Sequence, residues 1–137
     1  MKATEKILTG TFLGVMLAIF ATKARAATIT VNSLNDPSDK GFCTLHDAII
    51  AANTGIAING CTAGDGDDTI SFIVSSSINL AGTLPTITRK LVIDGSGQSL
   101  TIDGGGNKRI MAVASGAVVT VKNLTFAHGG GVRAGGR

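Results

Sequence analysis

Three sets of side chains in this 137-residue chain have the types and spacing to do chemistry. The first is the acidic turn Gly64-Asp65-Gly66-Asp67-Asp68-Thr69-Ile70. Its spacing matches one Gly-x-Gly-x-Asp unit of a calcium-binding β-roll, with Asp68 in the ligand position. Calcium takes six to eight oxygens, and β-roll sites draw them from successive repeats. A single copy reads instead as a turn that sets the backbone and caps the next strand. The second set is Asp94 and Asp103, each closing an Ile-Asp-Gly run. Paired carboxylates at stacked positions, with a base among Arg89, Lys90, Lys108 and Arg109, would suit a lyase or glycosidase acting on polysaccharide. Nothing in the sequence gathers these groups into one groove, and Asp-Gly is also an ordinary turn signal. The third set is Cys43, Cys61, His46 and His128. Two thiols do not complete a tetrahedral site, and the histidines belong to separate segments. His46 is expected on a helix surface or at its cap, and His128 in a loop. Gly104-Gly105-Gly106-Asn107 has neither the Walker lysine nor a following helix, so it is not a phosphate loop. No catalytic, cofactor-binding or metal-binding residue is assigned, no cofactor is expected, and the chain reads as a non-enzyme.

The start of the chain sets the compartment. Lys2 and Lys6 precede an uncharged run of 16 residues, Ile7 to Thr22. Spanning a bilayer as a helix takes roughly 20. Ala24-Arg25-Ala26 follows, with small residues at the two positions that signal peptidase reads. Residues 1–26 are expected to be a secretory signal peptide cut between Ala26 and Ala27; the competing reading is an uncleaved membrane anchor. The whole chain has 12 basic and 9 acidic residues. Lys2, Lys6, Lys23, Arg25 and Glu5 leave with the leader, so eight of each sign remain and the mature charge is zero. The basic pI therefore belongs to the export signal, and no nucleic-acid partner is expected. No stable membrane span remains after cleavage. Export carries Cys43 and Cys61 to an oxidising compartment, where such a pair is normally a disulfide.

These groups need a scaffold, and the composition limits which one. After residue 26 the only aromatics are Phe42, Phe72 and Phe126. A core must come from small aliphatic side chains. Ala27 to Ser33 alternates β-branched and polar residues as a strand does. Asn35 to Gly41 is a turn cluster. Thr44 to Asn53 is the one helix expected after the leader. Thr44 is its N-cap, and Asp47 stands three residues on, as in a capping box. Leu45, Ala48, Ile49 and Ala52 share a face, and Asn53 and Gly55 supply the stop. A Cys43–Cys61 disulfide would pin both ends of this segment. Beyond residue 68, six short β-rich runs follow: Thr69 to Val74, Ser77 to Leu80, Lys90 to Gly95, Ser99 to Gly104, Arg109 to Val113 and Val118 to Phe126. A sandwich, a barrel and a β-solenoid all fit such a series. Strand brevity, the Ile/Val/Leu content and the Gly- and Asn-rich corners favour the solenoid.

Phe42-Cys43-Thr44-Leu45-His46-Asp47-Ala48-Ile49-Ile50-Ala51-Ala52-Asn53 resembles the opening signature of bacterial secreted and surface β-helix proteins, the CSLREA domain family. Cys43, Thr44, Leu45, Asp47 and Ala48 match it in type; Cys61 fits its second cysteine, and Ala63 to Ile70 its acidic turn. Leu80 to Pro85, Leu91 to Gly95, Leu100 to Gly104 and Val119 to Gly129 resemble its first rungs. The motif's Arg is His46 here and its Glu is Asp47, which makes a motif ion pair weaker or pH-dependent.

The expected fold is all-β: the start of a right-handed parallel β-helix of the pectin-lyase type, with a short capping α-helix at its N-terminus. Handedness comes from the resemblance alone. The expected division is 1–26 signal peptide, 27–68 strand and disulfide-pinned helical cap, 69–128 rungs, and 129–137 a Gly-rich tail where the chain looks truncated. The resemblance implies a structural or interaction module, adhesin- or passenger-like, that is secreted, periplasmic or at the surface of a bacterium in association with its outer membrane. Expected partners are surface glycans, other proteins, or a second copy bound through the open C-terminal rung. The alternative is a fragment of a polysaccharide lyase or glycosidase.

Overall fold

The computed structural model describes residues 25–130. Residues 1–24 and 131–137 lie outside the described residues, and with them most of the expected signal peptide and Gly-rich tail. Among the described residues, seven short strands and one helix follow one another. The first strand, β1 (Thr28–Val31), buries Ile29 and Val31 and turns Thr28 and Thr30 outward. This is the two-residue alternation its sequence carries.

Helix α1 (Leu45–Thr54) begins where Thr44, in extended conformation, accepts a hydrogen bond from Asp47 N through its hydroxyl. The bond satisfies one of the free N–H groups of the first turn. Asp47 does not complete a capping box. Its carboxylate accepts from Asn59 Nδ2 at 2.7 Å. Aspartate is one methylene shorter than the glutamate such a box usually employs. The helix ends at Gly55, which takes the left-handed conformation (φ 70°) and donates its N–H to Ala51 O. Asn53 is no stop signal: it lies within α1 and fastens the helix to a distant loop, donating to Thr86 O and accepting from Thr88 N. Leu45, Ala48, Ile49 and Ala52 are buried, and so are Ala51 and Asp47.

The remaining strands are β2 (Asp68–Phe72), β3 (Ser76–Asn79), β4 (Leu91–Asp94), β5 (Leu100–Lys108), β6 (Val119–Lys122) and β7 (Thr125–Gly129). They form two sheets, ordered β1-β2-β4-β6 and β3-β5-β7, and every pairing is parallel. From β2 onward the chain alternates between the sheets, returning to each after one strand in the other. Register aligns like with like. Ile29, Ile70, Ile93 and Val121 form one column, and Ile78, Ile102 and Phe126 another. The isoleucines of these columns are buried, and each Å² of aliphatic surface so removed from water contributes roughly 25 cal/mol.

Two runs differ from the sequence expectation. Arg109 to Val113 forms no strand; Val113 makes a single parallel bridge with Ile87. Ile87 donates to Ala112 O and accepts from Ala114 N, so the two loops are joined outside both sheets. Val118 to Phe126 is not one strand but two, broken at Asn123 (φ 54°). Asparagine enters the left-handed region more readily than other side chains, so the corner forms there. The expected tail also starts late, because Gly129 closes β7 and Gly130 donates to Lys108 O.

Candidate functional site

A buried polar arrangement lies around Asp68, at the start of β2. Register places Asp68 opposite Ala27, one residue before the Thr28–Thr69 pair. Odd positions of β2 face outward and even ones inward, so Asp68 points into the molecule and is 1 % exposed as a residue. Its Oδ1 accepts from Ala27 N at 3.0 Å and from Asp65 N at 2.8 Å. Its Oδ2 is buried and has no hydrogen-bond partner. An unpaired buried polar oxygen costs free energy, about 1–3 kcal/mol and more when charged. Gly64 makes the space for it. A Cβ there would overlap Asp68 Oδ2 and come within 2.8 Å of Ala51 O. The turn is thereby tied to the helix end, since Gly64 N also donates to Ala51 O.

Cys43 and Cys61 are joined in a buried disulfide. Asn32, just past β1, receives Cys43 N on its Oδ1 at 2.7 Å and donates its own N–H to Cys43 O. The bond thus links the end of β1, the start of α1 and the loop after it. A disulfide suggests a non-reducing environment. Among the described residues no helix is long and apolar enough to cross a membrane.

A second polar pair sits on the same cap. His46 Nδ1 lies 3.5 Å from Asp36 Oδ1, and the Asp36 side chain is almost fully buried. Asp36 Oδ2 accepts from Ala81 N at 2.8 Å, which anchors the turn cluster to the loop after β3. The sequence marks Asp36 only as part of a turn; nothing in its spacing announces the partnership with His46.

The acids weighed for catalysis do not stack on each other. Asp94 ends β4 in the first sheet, beside Ser71 and Lys122. Asp103 lies in β5 of the second, beside Asn79 and Ala127. Each works as a local cap. Asp94 Oδ1 accepts from Ser96 Oγ at 2.6 Å, Ser96 N and Asn123 Nδ2. The Ser96 hydroxyl, then Asn123 and the Ser96 N–H, hold its carboxyl below the usual carboxylate range. Asp103 accepts from Gly105 N at 2.8 Å and pairs with His128 Nδ1 at 3.0 Å, and these two contacts, in that order, lower its carboxyl likewise. In the acidic turn, Asp67 is held by Lys90 at 2.9 Å. Among the described residues no three His, Cys, Asp or Glu side chains gather as a metal set, and no pocket opens.

Comparison with family models, with curated proteins and with solved structures gives no match.

Proposed function

We propose that the chain is exported, cut between Ala26 and Ala27, and serves as a non-catalytic structural and interaction module: the capped start of a right-handed parallel β-helix of the kind found in adhesin- and passenger-like surface proteins. The resemblance to the CSLREA signature supplies the family, the handedness and the surface location. The observation that carries the reading is the contrast between the two ends of the stack. At one end α1, the disulfide and the Asp68 turn close over β1 and β2. At the other, β6 and β7 pair on one side only among the described residues; they carry exposed Val121 and Phe126, and Val118 just before β6 is exposed too. An apolar layer beside an unpaired strand edge is a docking surface for more of the same structure, whether further rungs or a second copy. Surface glycans and other proteins are the further partners this role admits. The lyase or glycosidase alternative loses its stacked carboxylates, because Asp94 and Asp103 belong to different sheets.

Size-exclusion chromatography with light scattering on the mature protein tests this. Concentration-dependent association is expected, and fusion of additional β-helix rungs after the chain should suppress it. A stable monomer with cooperative unfolding and no association would overturn the reading.

A further inference from the structure

We propose that cleavage of the leader completes the fold: the new α-ammonium of Ala27 docks onto the buried carboxylate of Asp68 and locks the N-terminal cap. This rests on the export reading above, with the cut between Ala26 and Ala27. In the uncut chain Ala27 N is an amide with one hydrogen, and that hydrogen already points at Asp68 Oδ1 over 3.0 Å. Asp68 Oδ2 stands beside it, buried and without a partner. The uncut chain therefore keeps a carboxylate inside the molecule with half its acceptor capacity unused.

Hydrolysis by the exporting peptidase changes the donor at Ala27 N. Water's hydroxyl adds to the Ala26 carbonyl carbon as the C–N bond breaks. Ala27 N gains one proton from that water and one from the new carboxyl group, leaving a carboxylate on Ala26 and an ammonium on Ala27. An ammonium has three N–H donors and a full positive charge. One donor can keep Oδ1 while a second turns to Oδ2. The cost of holding a lone charge in the interior is offset by its counter-ion.

The surroundings favour this use. Asp67, the neighbouring acid, is engaged by Lys90. Asp65 contributes its backbone N–H, not its carboxylate. Gly64 has no side chain to fill the space at Oδ2. Cleavage gives up little in exchange: the Arg25–Gly66 bridge and a long Asp67 N to Arg25 O contact of 3.4 Å. The contact that continues β1 into the sheet, Thr69 N to Ala27 O at 2.8 Å, stays with the mature chain.

The experiment uses the exported protein carrying its disulfide. Intact-mass and N-terminal peptide analysis first identify the leading residue. The α-amine is then acetylated in urea at about pH 6.5, where it reacts ahead of lysines because its ordinary pKa is about 7.7–8.0 against 10.4. The protein is refolded and its urea unfolding compared with the untreated form. Acetylation is expected to raise the unfolding equilibrium constant at least about tenfold in the wild-type chain, and less than about twofold in Asp68→Asn. Should Asp68→Asn not fold, the wild-type α-amine itself reports: it is expected to react at least about tenfold more slowly in the native protein than in urea. A leading residue other than Ala27 overturns the cleavage reading and the docking together. Ala27 in first place, with acetylation neutral or an amine as reactive folded as unfolded, overturns the docking alone.

Discussion

Val121 lies directly beside Ile93 in the β4–β6 register, yet Val121 is 37 % exposed and Ile93 1 %. The two occupy the same column one layer apart. What separates them is a neighbour: Ile93 has one on each side, and Val121 has one only, among the described residues. Burial in this fold is conferred by stacking, so stability should follow position along the stack.

Truncating the inner column should be costly and truncating its end should not. Ile70→Ala is expected to lose about 2–5 kcal/mol of unfolding free energy, as for other buried large-to-small changes. Val121→Ala is expected to lose about 1 kcal/mol or less. Urea titration of both variants gives the comparison, and equal losses would contradict the layered account.

The exposed end should also govern association. Replacing Val121 and Phe126 with threonine keeps strand propensity while removing apolar surface. Light scattering of this double variant should show weaker self-association than the wild type, with the disulfide and cooperative unfolding retained.

Thr44 contributes at two points. Its hydroxyl accepts from Asp47 N at 3.1 Å and donates to Pro37 O at 2.8 Å, so it caps α1 and holds the preceding turn. Thr44→Ala is expected to cost about 1–2 kcal/mol, while Thr44→Ser keeps most of the stability. Removing the bridge with Cys43→Ala and Cys61→Ala together should cost about 3 kcal/mol. Denaturant midpoints of the three variants check both.

Acid should loosen the corners. Asp94 and Asp103 have carboxyls lowered in the folded state by hydrogen bonds to Ser96, Asn123, Gly105 and His128. A lowered folded value contributes stability that is complete above the unfolded value of about 3.9 and disappears as pH falls through the folded one. Stability should therefore decline as pH drops below about 4. Asp94→Asn with Asp103→Asn should flatten that decline. An unchanged slope in urea titrations across this range would refute the assignment.

The scaffold was largely legible in the residues, and its polar wiring was not. Repeated Ile/Val/Leu runs of a few residues between Gly and Asp announce short strands, because period-two burial and turn chemistry are both local. Leu45, Ala48, Ile49 and Ala52 announce the buried face of α1 for the same reason. The disulfide followed from compartment and count. By contrast, Asp36 meets His46 and Ala81, and Asn53 meets Thr86 and Thr88, through contacts set by how separate segments lie together. Asp94 and Asp103 carry the same local sequence, Ile-Asp-Gly, and that similarity suggested stacking. From β2 onward consecutive strands belong to different sheets, so the near-identical runs of β4 and β5 are not neighbours in a ladder. Asn123 splits the β-rich run Val118 to Phe126 because one left-handed residue turns a corner that hydrophobicity does not register.

The ladder between β5 and β7 has one discontinuity. Asp103 pairs with Ala127 and Lys108 with Gly129, so Gly104 to Asn107 stand opposite the single residue His128. The excess is contained between two registered pairs, and the Asp103–His128 contact fastens its upstream side. Paired strands of unequal length can therefore lie side by side without frame-shifting the column of Ile78, Ile102 and Phe126. The glycine-rich excursion is an expansion joint: peptide grafted between Gly104 and Asn107 would project from the stack while the isoleucines beneath kept their alignment, which makes this the natural place to display a foreign epitope on the scaffold.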